Sequence, residues 1–355
     1  MPNLLTNDLE NVLAGTRDLW EELRGQAIFI TGGTGFFGCW LLETLLWAHD
    51  RLGLKVRATV LTRNPRTFEH KAPHLAGHPA VRMVTGDVRS FVFPVGSFSH
   101  VIHAATQSSA ALNREQPKLM FDTIVEGTRR CLEFAHASGA QKFLLTSSGA
   151  VYGTQPPDMT HIAESFTGGP DPLDANSAYA EGKRTAEMLC ALAFRDSRLD
   201  TKIARCFAFA GPYMELDAHF AIGNFIRDQM QGGPIRVHGD GTPYRSYMYA
   251  SDLMIWLWTI LFCGTPGRAY NVGSEEAVSI GELAHTVADA FSPRVTVEIA
   301  KAPRPGATAQ RYVPCTARAR QELGLRSQAS LQETIRRTQM WFQQAHMTRV
   351  EEVVR

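Results

Sequence analysis

A tyrosine and a lysine four residues apart carry the clearest chemistry in this sequence. Ser177-Ala178-Tyr179-Ala180-Glu181-Gly182-Lys183 follows Thr146-Ser147-Ser148-Gly149 by roughly 30 residues. The Tyr-x-x-x-Lys spacing puts both side chains on one face of a helix, one turn apart. An ammonium beside a phenol favours phenolate, so the Tyr179 pKa is expected to fall towards the working range; a nearby nicotinamide cation acts in the same direction. Tyr179 then exchanges a proton with a sugar or alcohol hydroxyl while hydride moves to or from the adjacent carbon. Ser148, ending an apolar strand, hydrogen-bonds the same oxygen and orients it. The Tyr/Lys pair alone describes many exposed helices; the rest of the chain gives it weight.

The hydride partner is announced near the N-terminus. "IFITGGTGFFG" reads as strand, then Gly32-x-x-Gly35-x-x-Gly38, then a helix opening with Phe36 and Phe37. Such a loop turns tightly, lets backbone approach a pyrophosphate, and packs helix against strand. The helix N-terminus adds unpaired N–H groups and partial positive charge. A triphosphate loop is excluded, since Cys39 and Trp40 stand where Lys-Ser/Thr belongs. The second strand ends in Thr62-Arg63-Asn64-Pro65-Arg66 rather than in a carboxylate. Arg63 accommodates a 2′-phosphate, so NADP(H) is favoured with NAD(H) as the alternative. Asp87, in "TGDVRS", is a candidate to bond the adenine.

These residues need a scaffold, and the sequence supplies one. Apolar β-type runs at Ala27–Ile30, Val56–Thr62, Val81–Thr85, Val101–His103, Lys142–Thr146 and Thr201–Arg205 alternate with helical patterns. The helices are expected over Phe36–Asp50, Leu119–Ser138 and Ala178–Arg195. Strands alternating with helices predict an α/β fold, a doubly wound parallel sheet covered on both faces. Beyond residue 211 Pro and Gly cluster, which predicts a smaller, loop-rich lobe. The expected organisation is an extension over 1–25, a dinucleotide-binding domain over 26–210, a smaller lobe over 211–340 that can interleave with it, and a tail over 341–355.

The bulk composition agrees. In 355 residues, 36 basic and 35 acidic side chains leave a net charge of +1, which gives no broad reason to bind nucleic acid. The six cysteines show no metal-ligand spacing and no disulfide pattern, so no metal site is expected. The longest apolar run, Leu253–Cys263, is about half of the ~20 residues a membrane span requires. A cytoplasmic, non-membrane protein is expected.

With TGGTGFFG, GDV, HAAT, SSGAVYG and YAEGK in view, the chain resembles the extended short-chain dehydrogenase/reductases, in the nucleotide-sugar epimerase/dehydratase branch. "HGDGTPYRSYMYASDL", "AYNVGSEEAVSIGELA" and "PRPG" continue the likeness over roughly residues 26 to 340. The resemblance implies a Rossmann fold with a C-terminal substrate lobe, and a homodimer built through the two long helices. It makes Ser148, Tyr179 and Lys183 the catalytic set. Gly32, Gly35, Phe36, Phe37, Gly38, Arg63, Asp87, Val88, Ala104 and Ala105 would line the cofactor, and Tyr179 and Lys183 would touch it as well. Arg245 and Arg304 fall where the family holds the nucleotide diphosphate. Met214–Asn224 is expected to cap the sugar pocket, with Glu215, His219 and Asn224 as candidates.

The chain departs from the pattern at informative places. By the resemblance, sugar-nucleotide 4,6-dehydratases carry Asp-Glu after the catalytic hydroxyl, and decarboxylases keep the glutamate. Here Gly149 and Ala150 stand there, and neither can act as acid or base. Ile124, Ala208 and Ala307 replace residues that usually contact the sugar nucleotide or brace the site. The reading is an NDP-4-keto-6-deoxyhexose 4-reductase; the alternative is an NDP-sugar 4-epimerase. A 4,6-dehydratase and a non-catalytic dinucleotide-binding protein rank behind both.

Overall fold

The computed structural model of the chain describes residues 4–106, 110–197, 199–218 and 220–354. Six strands arise where the apolar runs fall: β1 (Ala27–Thr31), β2 (Arg57–Thr62), β3 (Val81–Thr85), β4 (His100–His103), β5 (Lys142–Ser148) and β6 (Asp200–Cys206). A seventh, Arg268–Val272, comes from the "AYNV" stretch. All are parallel, in the order Arg268–Val272, β6, β5, β4, β1, β2, β3. The chain winds outward from β1 to β3, then crosses back to β4 on the other side of β1. That reversal opens a crevice at the carboxyl ends of β1 and β4, where ligands of such sheets bind.

Helices cover both faces, and each face has its own core. Phe36–Leu52 and Ala250–Cys263 lie on one, with Trp20, Trp40, Trp256 and Trp258 fully buried among them. The Leu253–Cys263 run is therefore a core helix, and among the described residues no helix is long and apolar enough to cross a membrane. Pro117–Ala137 and Ala178–Ser197 cover the opposite face around Phe29, Phe91, Phe98 and Phe134. These two pack tightly: a Cβ on Gly182 would lie 3.1 Å from Ile124 Cδ1.

Beyond the sheet, Ala221–Met230 and Ile280–Asp289 share a third core. Two short pairings complete this part. Ile235–Val237 runs beside Val297–Ile299, and Tyr244–Arg245 lies between Val278–Ser279 and Arg311–Tyr312. The second pairing carries Arg245 and Tyr312 towards the end of β5.

Candidate active site

The glycine loop is closed on two sides and open on the third. Gly32 adopts φ +70°, and a Cβ there would lie 2.4 Å from the Ala104 carbonyl oxygen, so the loops after β1 and β4 touch. At Gly38 a Cβ would fall 2.2 Å from Gly33 Cα, which is the close packing of helix on loop. Gly35 differs. It is exposed, and its nearest neighbour would be Gly32 O at 3.5 Å. A bare backbone there faces outward at the N-terminus of Phe36–Leu52, the cradle that a pyrophosphate fits. Lys71 Nζ donates to Thr34 O at 3.1 Å and braces the loop from the side. Phe36 and Phe37 pack edge to face at 5.7 Å, and Phe37 packs similarly on Phe209 at 5.3 Å.

Behind the loop, a buried polar chain joins β1, β4 and Pro117–Ala137. Thr31 Oγ1 meets His103 Nδ1 at 2.7 Å and accepts from Ala105 N at 3.2 Å; His103 Nε2 meets Thr128 Oγ1 at 3.1 Å. Burial, with the Lys183 charge nearby, pulls the His103 pKa down to about 3, so the ring is neutral. It thereby fixes where Ala104 and Ala105 stand.

At the adenosine end, Asp87 pairs through both oxygens with Arg89 Nε and Nη2 at 2.9 Å. Those hydrogen bonds hold its carboxyl below the usual range, with Arg63 a lesser contribution. Arg63 is exposed beside it. Val88 is buried, and its Cγ1 lies 2.9 Å from where a Gly127 Cβ would be. The residues in this crevice fit a nicotinamide dinucleotide.

Ser148, Tyr179 and Lys183 come together at the carboxyl end of β5. Ser148 is the last residue of that strand, and its Oγ accepts from Ala150 N at 3.2 Å to cap the turn Gly149–Tyr152. Lys183 is buried, its Nζ 5.9 Å from the Tyr179 ring centre. The ammonium donates to Thr146 O at 2.7 Å and Thr106 Oγ1 at 3.0 Å. Burial pulls its pKa down to about 8. Tyr179 goes the other way: burial pushes it up to about 12, and a side-chain hydrogen bond with Ser148 only partly offsets this. The expected fall in the Tyr179 pKa is therefore reversed in the protein alone. Its physical reason is the burial of the phenol, and the lysine gives donors to Thr106 and Thr146.

Three residues belong to this site without having been read from the sequence. Tyr312 Oη lies 3.4 Å from Ser148 Oγ, and Asn113 Oδ1 accepts from Tyr179 N at 2.9 Å. Thr106, the end of "HAAT", is the third. Tyr312 and Asn113 sit 164 and 66 residues from their partners, and no local pattern marks either.

The substrate candidates are more scattered. Arg245 donates to Tyr244 O at 2.8 Å, with Cζ 5.9 Å from the Tyr312 ring centre, which brings it to the Ser148 end. Arg304 is exposed in the loop after Val297–Ile299. Asn224 Nδ2 donates to Leu216 O and Ala218 O, both at 2.7 Å, so its amide hydrogens pin the 214–218 turn and only Oδ1 remains for a ligand. Glu215 is exposed. His219 lies outside the described residues. Gly149 is enclosed: a Cβ there would meet Phe207 Cε1 at 2.7 Å and Tyr312 Oη at 2.8 Å.

The family model described as "NAD dependent epimerase/dehydratase family" matches residues 28–273. UDP-glucuronic acid decarboxylase 1 of Arabidopsis thaliana is 30% identical over 87% of this chain and 68% of its own length. Decarboxylase 6 of the same plant is 30% identical over 86% and 85%. The chain spans 58% to 86% of the length of the Arabidopsis decarboxylases it matches. Among solved structures, UDP-N-acetylglucosamine 4-epimerase from Methanobrevibacter ruminantium superposes with TM-score 0.77 at 19% identity, covering 90% of this chain and 99% of that one. The NAD-bound dTDP-glucose 4,6-dehydratase from Streptomyces venezuelae superposes with TM-score 0.75 at 24% identity, covering 90% and 97%.

Proposed function

Because the chain belongs to the NAD dependent epimerase/dehydratase family, we propose that it moves hydride and a proton at C4 of a nucleotide-linked hexose, as an NDP-4-keto-6-deoxyhexose 4-reductase. The observation that carries this reading is the surroundings of Ser148. Gly149 and Ala150 provide no acid or base, and the space a side chain at 149 would take is filled by Phe207 and Tyr312. Hydride exchange at a carbinol needs one proton donor, a cation to tune it and a hydroxyl to orient the oxygen. Eliminating water or losing a carboxylate demands further groups. Nucleotide sugars as the substrate class draw support from the names of three similar proteins, a UDP-glucuronic acid decarboxylase, a dTDP-glucose 4,6-dehydratase and a UDP-N-acetylglucosamine 4-epimerase.

A nicotinamide dinucleotide supplies the hydride when bound. The Gly32–Gly38 loop would hold its pyrophosphate, with Ala104 and Ala105 beside it and Asp87, Val88 and Arg63 at the adenosine. Arg63 supports NADPH in the reductase reading. Tyr179 keeps its proton at neutral pH and gives it to the oxygen forming at C4. Lys183, fixed by Thr106 and Thr146, favours the phenolate left behind. Ser148 orients the oxygen, and Arg245 with Arg304 takes the diphosphate. The second reading, a 4-epimerase, uses these residues in both directions on a retained NAD, and draws support from the NAD-dependent family to which the chain belongs.

A second copy of the chain is the partner we infer for the outer face of Ala178–Ser197, where Met188, Leu192 and Phe194 are exposed. Its check is the mass in solution by light scattering, where a monomer would remove the inference.

The test begins with protein purified without added cofactor and a search for released dinucleotide. Wild type and Tyr179→Phe are then assayed with NADPH and dTDP- or UDP-linked 4-keto-6-deoxyglucose, and with UDP-glucose for epimerisation. Tyr179→Phe is expected to lose about 10²- to 10⁴-fold in turnover while binding NADPH as tightly as wild type. Unchanged turnover of every substrate by this variant overturns the reading. Tightly held NAD with UDP-glucose epimerisation replaces the reductase by the epimerase.

A further inference from the structure

Ser148 has two phenols against it. Tyr179 reaches it from Ala178–Ser197, and Tyr312 Oη lies 3.4 Å from Ser148 Oγ. Tyr312 arrives from the far end of the chain on a clamped segment. Tyr244 N donates to Gln310 O at 2.7 Å, Ile162 N donates to Val313 O at 2.9 Å, and Val313 N donates to Gln155 Oε1 at 3.1 Å. Its ring packs on Phe207 with centroids 4.7 Å apart. The phenol can stand this close to β5 only because residue 149 is glycine, since a Cβ there would lie 2.8 Å from Tyr312 Oη.

We propose that Tyr312 is a positioning residue whose hydroxyl sets the direction of the Ser148 hydroxyl. This rests on the hydride-and-proton reading above. A serine hydroxyl has one hydrogen to donate and two acceptor positions. Ala150 N–H fills one acceptor position. When Tyr312 donates into the second, the single Ser148 hydrogen is left for Tyr179 or for an oxygen of the substrate. When Tyr312 instead donates to Cys206 O, 3.5 Å away, Ser148 is free to donate to Tyr312 and to accept from the site.

The two arrangements suit the two oxidation states at the reacting carbon. A ketone oxygen only accepts, so it favours Tyr312 to Ser148 to substrate. An alcohol donates, so it favours the reverse, ending on the Cys206 carbonyl. No proton leaves the chain of hydroxyls; only the bonds reorient. Burial, partly opposed by the hydrogen bond with Ser148, pushes the Tyr312 pKa upward, which keeps its proton in place for this task.

The test compares wild type, Tyr312→Phe, Ser148→Ala, Tyr179→Phe and the Ser148→Ala/Tyr312→Phe double variant. Tyr312→Phe keeps the ring on Phe207 and removes only the hydroxyl. It is expected to lower kcat about 5- to 20-fold with KM within about twofold of wild type, the scale of one hydrogen bond. The double variant is expected to be no slower than Ser148→Ala, because both act through one hydroxyl. A second arm needs no substrate. In protein carrying 13Cζ-labelled tyrosine, with signals assigned from the two Phe variants, Ser148→Ala is expected to shift the Tyr179 and Tyr312 resonances. Losses that multiply in the double variant, a Tyr312→Phe kcat within about twofold of wild type, or a Tyr312 signal unmoved by Ser148→Ala each overturn the proposal. A Tyr179→Phe enzyme with full turnover removes the function reading instead, and the resonance shift still decides the Ser148–Tyr312 contact.

Discussion

Gly149 is the residue on which the proposed choice of chemistry rests. Its hydrogen faces Phe207 and Tyr312, so a side chain placed there has no room unless one of the two rings moves. Gly149→Asp is therefore expected to yield no dehydratase. The added side chain must push the Phe207 ring aside, and it brings a carboxylate into a half-apolar corner. Destabilisation of about 1–3 kcal/mol is expected, read as a fall in the thermal midpoint with no elimination product from dTDP-glucose. Restored elimination without loss of stability would mean that the corner is roomier than its distances say. The sequence carried the absence of the acid plainly, as Gly149-Ala150. It did not carry what replaces it, because Tyr312 approaches from a strand 163 positions onward, and its identity has no meaning until the fold brings the two together.

At the scale of elements, the loop from β1 to Phe36–Leu52 separates two uses of glycine that look alike in sequence. Gly38 is packed against Gly33, and Gly35 faces nothing of the protein but Gly32 O. Gly38→Ala is expected to cost several kcal/mol or prevent folding, since its Cβ would sit 2.2 Å from backbone that cannot step aside. Gly35→Ala is expected to leave the thermal midpoint within about 2 °C and to weaken dinucleotide binding roughly tenfold or more, by calorimetry or fluorescence. Equal loss of stability in both variants would contradict the division. The spacing told of a dinucleotide loop, and the strands and helices around it were legible from apolar runs of the right length. The seventh strand was not read as a strand. In Arg268–Val272 the polar Arg268 and Asn271 interrupt the apolar residues, and its pairing partner β6 lies more than 60 residues earlier, so no local run distinguishes it from a loop.

For the molecule as a whole, the buried histidine of β4 ties stability to pH. His103 has a pKa of about 3 in the folded chain against an ordinary 6.5. Between those values the unfolded chain binds a proton that the folded one refuses, so this residue's contribution to stability declines as pH drops from about 6.5 to about 3. His103→Asn is expected to be less stable at pH 8 by about 1–3 kcal/mol, because the Thr31–Thr128 connection is broken. It is also expected to lose less stability on acidification than wild type, measured as denaturant midpoints across that range. Parallel curves for the two proteins would mean that the ring is protonated in the native state. The return of Arg268–Val272 to the main sheet has a different consequence, one of timing. As the chain is made from its N-terminus, β6 stands at an open edge until residue 272 has been added, and the face later covered by Ala250–Cys263 stays bare for nearly as long. The first six strands of the sheet are thus complete in order of synthesis well before the sheet is complete in structure. A helper that shields strand edges and apolar faces during translation has its period of greatest use over that interval.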